Sequence, residues 1–193
     1  MKLIQFFGNK GYKPATANEL QVQPNGQVRM LVMPVFLNES GATIEITSSR
    51  INFQKTIGDE IKIEQLNEMF DSEFSDLLDT FINEFSIVSN RVALNCDILT
   101  EDIAEEMPTQ STYFDNINKT EMSARNASRK EVEKEESNII IEKYTTTQGG
   151  FTKHSYDINS IAENQEMRFK SSNIKKMYKA YINIAIEIEK GLK

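Results

Sequence analysis

EQLNEMFDSEFSDLLDTFINEFS, residues 64–86, is the stretch that decides the fold class. Leu66, Met69, Phe70, Phe74, Leu77, Leu78, Phe81, Ile82 and Phe85 recur in steps of three and four. That spacing places them along one side of a helix of about six turns. Glu64, Glu68, Asp71, Asp76 and Asp79 fall elsewhere on the wheel. A helix with a single apolar stripe must lay it on another layer, and the residues on either side read as strands.

Working outward toward the N-terminus, residues 42–47 and 50–54 alternate, with Ile44 and Ile46 pointing one way, as do Ile51 and Phe53, to give a half-buried face. Ser48-Ser49 joins them, and Asn38-Glu39-Ser40-Gly41 is a turn before them. Further back, Pro24-Asn25-Gly26 separates a strand over 19–23 from one over 27–33, in which Val28, Met30 and Val32 share a face. Asn-Gly supplies the positive φ angles of a tight hairpin. Pro34 places the end of that strand at an edge or a bulge. Residues 1–7 read as an edge strand or a partly ordered lead-in, with an apolar patch that breaks at Gly8-Asn9-Lys10-Gly11 and is too short for a secretion signal.

Toward the C-terminus, residues 86–99 read as a strand, with Val88, Val92, Leu94, Cys96 and Ile98 broadly in period two. Residues 101–106 suit a helical turn and 108–112 a loop, while 116–136 is polar without apolar periodicity. Residues 138–147 and 151–158 form a second hairpin around Gly149-Gly150. Ser171 or Ser172 caps a last helix, which carries Ile174, Met177, Tyr178, Tyr181, Ala185 and Ile188 as its stripe and stops at Gly191. The expected architecture is α+β: antiparallel β-meanders covered by two long amphipathic helices, with two similar βββα halves. Residues 1–99 form the first half, 100–137 a polar, mobile connector, and 138–193 a C-terminal hairpin plus helix, all in one compact domain.

The order of the segment Ile44 to Lys55 (IEITSSRINFQK), the acidic helix 64–86, the strand to Leu99, the late hairpin with Tyr156-Asp157-Ile158 and the terminal helix resembles that of a sporadically distributed bacterial protein family. The likeness spans residues 42–190 by pattern, and departs at the N-terminal strands and across 100–137. It implies an α+β fold and a bacterial origin, and no activity. In strand–helix order alone, the chain is also similar to the SecB-like chaperone arrangement.

Composition narrows the function classes. The net charge of −7 is segregated: residues 1–58 carry +3, residues 59–115 carry −13, and residues 116–193 carry +3. An acidic middle opposes general nucleic-acid binding, which needs a basic field. No run of 18 apolar residues exists, so no membrane partner is expected. The single cysteine, Cys96, cannot form an intramolecular disulfide, and a cytoplasmic location is the reading that follows. Abundant Lys, Asn and Ile suggest an AT-rich bacterial or phage genome.

Few residues offer chemistry. His154 is the only histidine, which removes every site needing two imidazoles. Cys96 alternates with Leu94 and Ile98 and reads as an inert core thiol. The acidic run Asp97, Glu101, Asp102, Glu105, Glu106 lacks the glycine turn of a calcium loop and reads as a solvated face. No phosphate-binding glycine loop or nucleophile elbow is present. No cofactor and no catalytic set are expected.

The leading reading is a non-catalytic bacterial or phage protein that works through protein contacts. Its partner is a protein, basic if the acidic middle steers it, and a homodimer through an open strand edge is a second partner reading. An alternative is an enzyme or small-ligand binder with a pocket between sheet and helices, using His154, Tyr156, Arg50 and Arg91. A third is nucleic-acid binding by a basic patch of Arg168, Lys170, Lys175, Lys176 and Lys179.

Overall fold

The computed structural model describes residues 2–47, 49–58, 62–100, 121–146 and 150–191. The chain divides into two compact units, Met1–Glu84 and Phe85–Lys193. Each carries a four-stranded antiparallel sheet and ends on a long helix. The fold class is α+β, with long helices of 22 and 21 residues. Among the described residues no helix is long and apolar enough to cross a membrane.

The first unit opens with a helix, α1 (Lys2–Asn9), where a strand or lead-in was expected. The reason lies in the two glycines read as a break. Gly11 takes φ +84°, the Tyr12 N–H bonds back to the Phe7 carbonyl at 2.9 Å and the Gly11 N–H to that of Gly8 at 3.1 Å. This is the glycine helix stop, completed by an apolar contact across it. The Phe7 and Tyr12 rings supply that contact, 6.1 Å apart and edge to face. With the stop in place, Phe6 and Phe7 point into the core.

Four strands follow as a meander in order β1-β2-β3-β4: β1 (Lys13–Val22), β2 (Val28–Leu37), β3 (Ala42–Ile46) and β4 (Ile51–Lys55). The turn at 38–41 forms as expected, with Gly41 at φ +82° and the Asn38 Oδ1 accepting the Ala42 N–H at 2.8 Å. The helix α2, residues 63–84, then runs as one continuous element whose first turn is tight and whose residues 71–75 form a wide, π-type turn. Seven of the nine expected stripe positions are buried, Leu66, Phe70, Phe74, Leu77, Leu78, Phe81 and Ile82, with Ser75 beside them; Met69 is half-buried and Phe85 lies past the end of the helix. They meet a ring cluster: Phe7 lies 4.4 Å from Phe36 and 5.1 Å from Phe81, and Phe53 lies 6.0 Å from Phe74. One ion pair ties α2 to β4, Lys55 Nζ to Glu73 Oε1 at 2.6 Å, and Ser40 Oγ donates to the same carboxylate at 3.1 Å.

The second unit holds β5 (Ala93–Thr100), β6 (Glu121–Val132), β7 (Glu135–Thr146), β8 (Phe151–Ser160) and α3 (Ser171–Gly191), with sheet order β5-β8-β7-β6. Two expectations are corrected. Residues 86–92 are not strand: Ser86 takes φ +51°, and Ser89 instead bridges Phe169 through main-chain bonds of 3.0 and 2.9 Å. The polar stretch 121–136 is not a connector but β6 and its turn into β7, paired from Glu121↔Thr146 to Val132↔Glu135. Main-chain pairing is indifferent to polarity, and β6 is an edge strand whose side chains from Ser123 to Glu131 are exposed. Residues 101–120, where a helical turn and a loop were expected, lie outside the described residues. Each unit runs four strands, one more than expected, before its long helix, and the two strand orders differ.

The buried face of this sheet is set by parity. Ile158, Tyr156, His154 and Thr152 on β8 stand opposite Leu94, Cys96, Ile98 and Thr100 on β5. On the other side of β8 the same residues oppose Ile139, Ile141, Lys143 and Thr145 of β7. Helix α3 lies against these residues through Ile174, Met177, Tyr181, Ile182, Ala185, Ile186 and, unexpectedly, Glu189. The carbonyl of Lys170 accepts the Ile174 N–H at 2.9 Å, so Lys170 holds the cap position and Ser171 opens the first turn.

Candidate functional site

Two places stand out from the packed core: an exposed apolar face on the first unit and a buried polar network in the second. The first begins at Pro34. The β2–β3 ladder covers Val35↔Glu45, Phe36↔Ile44 and Leu37↔Thr43, and the next β2 residue is Pro34, which has no N–H to extend it. From there β2 pairs only with β1, through Val32↔Asn18, Met30↔Leu20 and Val28↔Val22. The result is a two-stranded arm reaching about 20 Å past the ladder, from a rise of roughly 3.4 Å per residue. Its turn differs from the expected one. Only Gly26 has positive φ, +79°, the Gly26 N–H bonds to the Gln23 carbonyl at 2.9 Å, and Asn25 Oδ1 accepts the Gln27 N–H at 3.0 Å.

Strand alternation places Val28, Met30 and Val32 on the same side of the sheet as Phe36, which is buried. Leu20 and Val22 join them from β1. The apolar face that α1 and α2 cover at Phe36, Ile44 and Phe53 therefore continues along the arm. There it is uncovered, with Leu20, Val22, Val28, Met30 and Val32 each 62–74 % exposed. Single exposed apolar residues are ordinary, whereas a contiguous strip of five is the mark of an interaction surface. The shared face of Val28, Met30 and Val32 was legible in the sequence; its exposure was not.

The second place gathers two of the four candidate ligand contacts. His154 Nδ1 lies 2.9 Å from Glu189 Oε2, and the Tyr156 hydroxyl donates to the same oxygen. Because a carboxylate accepts only, the imidazole hydrogen on this side belongs to Nδ1. Nε2 is buried and has no hydrogen-bond partner. Burial and the Glu189 carboxylate push the Tyr156 hydroxyl well above the usual tyrosine range. Burial, followed by the charges of Asp97 and Glu189, raises the Cys96 thiol to about 11. Cys96 stands opposite Tyr156 across the sheet. A carboxylate orienting an imidazole is half of a base–nucleophile arrangement. Here the free nitrogen is sealed from solvent and the nearby thiol is held protonated, so the network's work is to fasten the end of α3 to β8.

The remaining candidates lie elsewhere. Arg50 belongs to the first unit, where its carbonyl and N–H close the β3–β4 turn against Thr47. Arg91 is exposed in the segment before β5. Of the basic patch, Lys170 and Lys176 are exposed and Lys175 and Lys179 half-buried along α3. Arg168 is not a free cation: it pairs with Glu135 at 2.9 Å, donates to the Asn90 carbonyl at 2.7 Å, and lies 4.5 Å over the Phe169 ring. Asp97, from the acidic run, pairs with Lys153 at 2.8 Å, and the rest of that run lies outside the described residues. No group of three or more metal-ligating side chains occurs among the described residues.

Sequence reasoning missed Glu189. It follows Ala185 by four residues, so it falls on the apolar stripe, but the adjacent Ile188 masked it. No family model, no curated protein and no solved structure matches the chain.

Proposed function

We propose that this chain is a binding protein that works through protein contacts, with the β1–β2 arm as its docking element. One observation carries the reading: a core-type apolar face runs on, uncovered, past the end of the ladder at Pro34. A two-stranded ribbon alone is marginally stable in water, so a bare apolar face on one is a surface awaiting a partner. The lysine- and asparagine-rich composition fits a bacterial or phage host.

The test is site-specific photocrosslinking. A photoreactive side chain at Val28 or Met30, introduced in the full chain, should give an adduct of defined mass. The same group at Lys176 on α3 should give none. Equal crosslinking at both places, or none at the arm, refutes the reading.

A further inference from the structure

We infer that the occupant of the arm's apolar face is a second copy of this chain, packed face to face across a two-fold axis. The inference rests on the docking role just proposed, and it is carried by the charge pattern and the area of that face.

A two-fold contact sets a surface against itself, so any charge near the axis meets its own image. The exposed face of the arm, Asn18, Leu20, Val22, Val28, Met30 and Val32, contains no ionisable side chain. The arm's charged residues, Glu19 and Arg29, belong by register to the opposite face, where they align with Leu31 and Gln21. This holds although the chain carries a net charge of −7, a charge that a surface built for a basic partner would display. A self-facing surface is the one place where that charge must be absent.

The area agrees. The five exposed apolar side chains offer about 100 Å² each, or on the order of 500 Å² per copy. Two copies bury on the order of 1,000 Å², the lower bound of specific interfaces. Asn18, Thr16 and Pro34, on the same side of the strands, extend the contact toward the usual range. Two sheets meeting by their apolar faces pack as in an ordinary β-sandwich.

The experiment measures the mass of the purified full chain by light scattering over a concentration series. The expected result is a dimer, twice 22.1 kDa, dissociating only at low concentration. Met30→Glu and Met30→Lys should each weaken it on the order of 100-fold, because each buries two like charges. Mixing the two variants should restore the dimer, a recovery that misfolding would not give. Met30 is exposed in the protomer, so both variants should keep the wild-type circular dichroism. Wild type that stays monomeric up to about 100 μM overturns the inference. If that monomer binds an apolar fluorescent probe lost in Met30→Glu, the arm docks some other partner, protein or lipid. If it binds none, the docking role falls as well.

Discussion

Glu189→Ala is the substitution that tests the second unit most directly. Glu189 is 4 % exposed and Tyr156 1 %, so the carboxylate and the hydroxyl it accepts are both out of water. Removing the carboxylate leaves the Tyr156 O–H and the His154 Nδ1–H without their acceptor. Each stranded donor costs about 1–3 kcal/mol. With the lost methylenes, the expected destabilisation is about 3–5 kcal/mol, the range for breaking a buried charged pair. Glu189→Gln can set its amide oxygen where Oε2 stands and accept from both donors, so only the exchange of a charged for a neutral acceptor is lost, about 1–2 kcal/mol. The chain has no tryptophan, so urea unfolding is best followed by the near-ultraviolet dichroism of its tyrosines. At a slope near 2 kcal/mol per molar, the alanine variant should lower the midpoint by roughly 2 M. The double variant with Tyr156→Phe should show coupling of about 1 kcal/mol or more, since the two groups share one oxygen. An alanine variant within about 1 kcal/mol of wild type would refute the argument, because it would mean water replaces the carboxylate.

Three further outcomes are expected. The β6–β7 turn places Glu133 and Lys134 at φ +51° and +68°, where non-glycine residues are strained; Lys134→Gly should therefore stabilise the chain by about 0.5–1 kcal/mol in denaturant unfolding, and a loss of stability would refute the turn. Phe7→Ala removes a fully buried ring between Phe36 and Phe81 and should cost about 3–5 kcal/mol, whereas a small effect would return residues 2–9 to a loose lead-in. The third concerns pH. Cys96 is raised from 9.0 to about 11, and Tyr178 and Tyr181 from 10.0 to about 12, in each case chiefly by burial. A raised folded value means that the unfolded chain ionises first, so the contribution is complete below pH 9 and lost as pH climbs through 11 and 12. The melting temperature should hold level to pH 9 and then fall, with Cys96→Ala delaying the onset; native Cys96 should also resist alkylation at about pH 8.

The elements legible in the sequence were those whose side chains alternate cleanly. Helix α2 and strands β3 and β4 carry one apolar face each, and burial alone accounts for them. What escaped detection was set by the main chain. Strand β6 is exposed from Ser123 to Glu131 and is held by its ladder to β7, so no hydrophobic period reveals it. Its turn uses Glu133-Lys134 in place of the glycine and asparagine that announce such turns. Helix α1 was hidden by Gly8 and Gly11, which read as a break yet form the hydrogen-bonded stop that lets Phe6 and Phe7 turn inward.

The site shows a different limit. Alternation says which residues share a face, not whether anything lies on that face. Phe36 and Met30 belong to the same side of the same strand, and one is 1 % exposed while the other is 62 %. The difference arises at Pro34, where the β3 ladder ends and the sheet narrows from four strands to two. The identical ambiguity hides Glu189, a carboxylate on a face that α3 otherwise fills with Ile174, Met177, Tyr181 and Ala185. A charge at a core position and an apolar strip at a surface position are the two departures from the covering rule. The first is answered inside the chain, by His154 and Tyr156. The second has no answer among the described residues, and a strip that apolar stays in water only at a cost of about 25 cal/mol per Å². That asymmetry is the support for the proposal that the arm is the docking element.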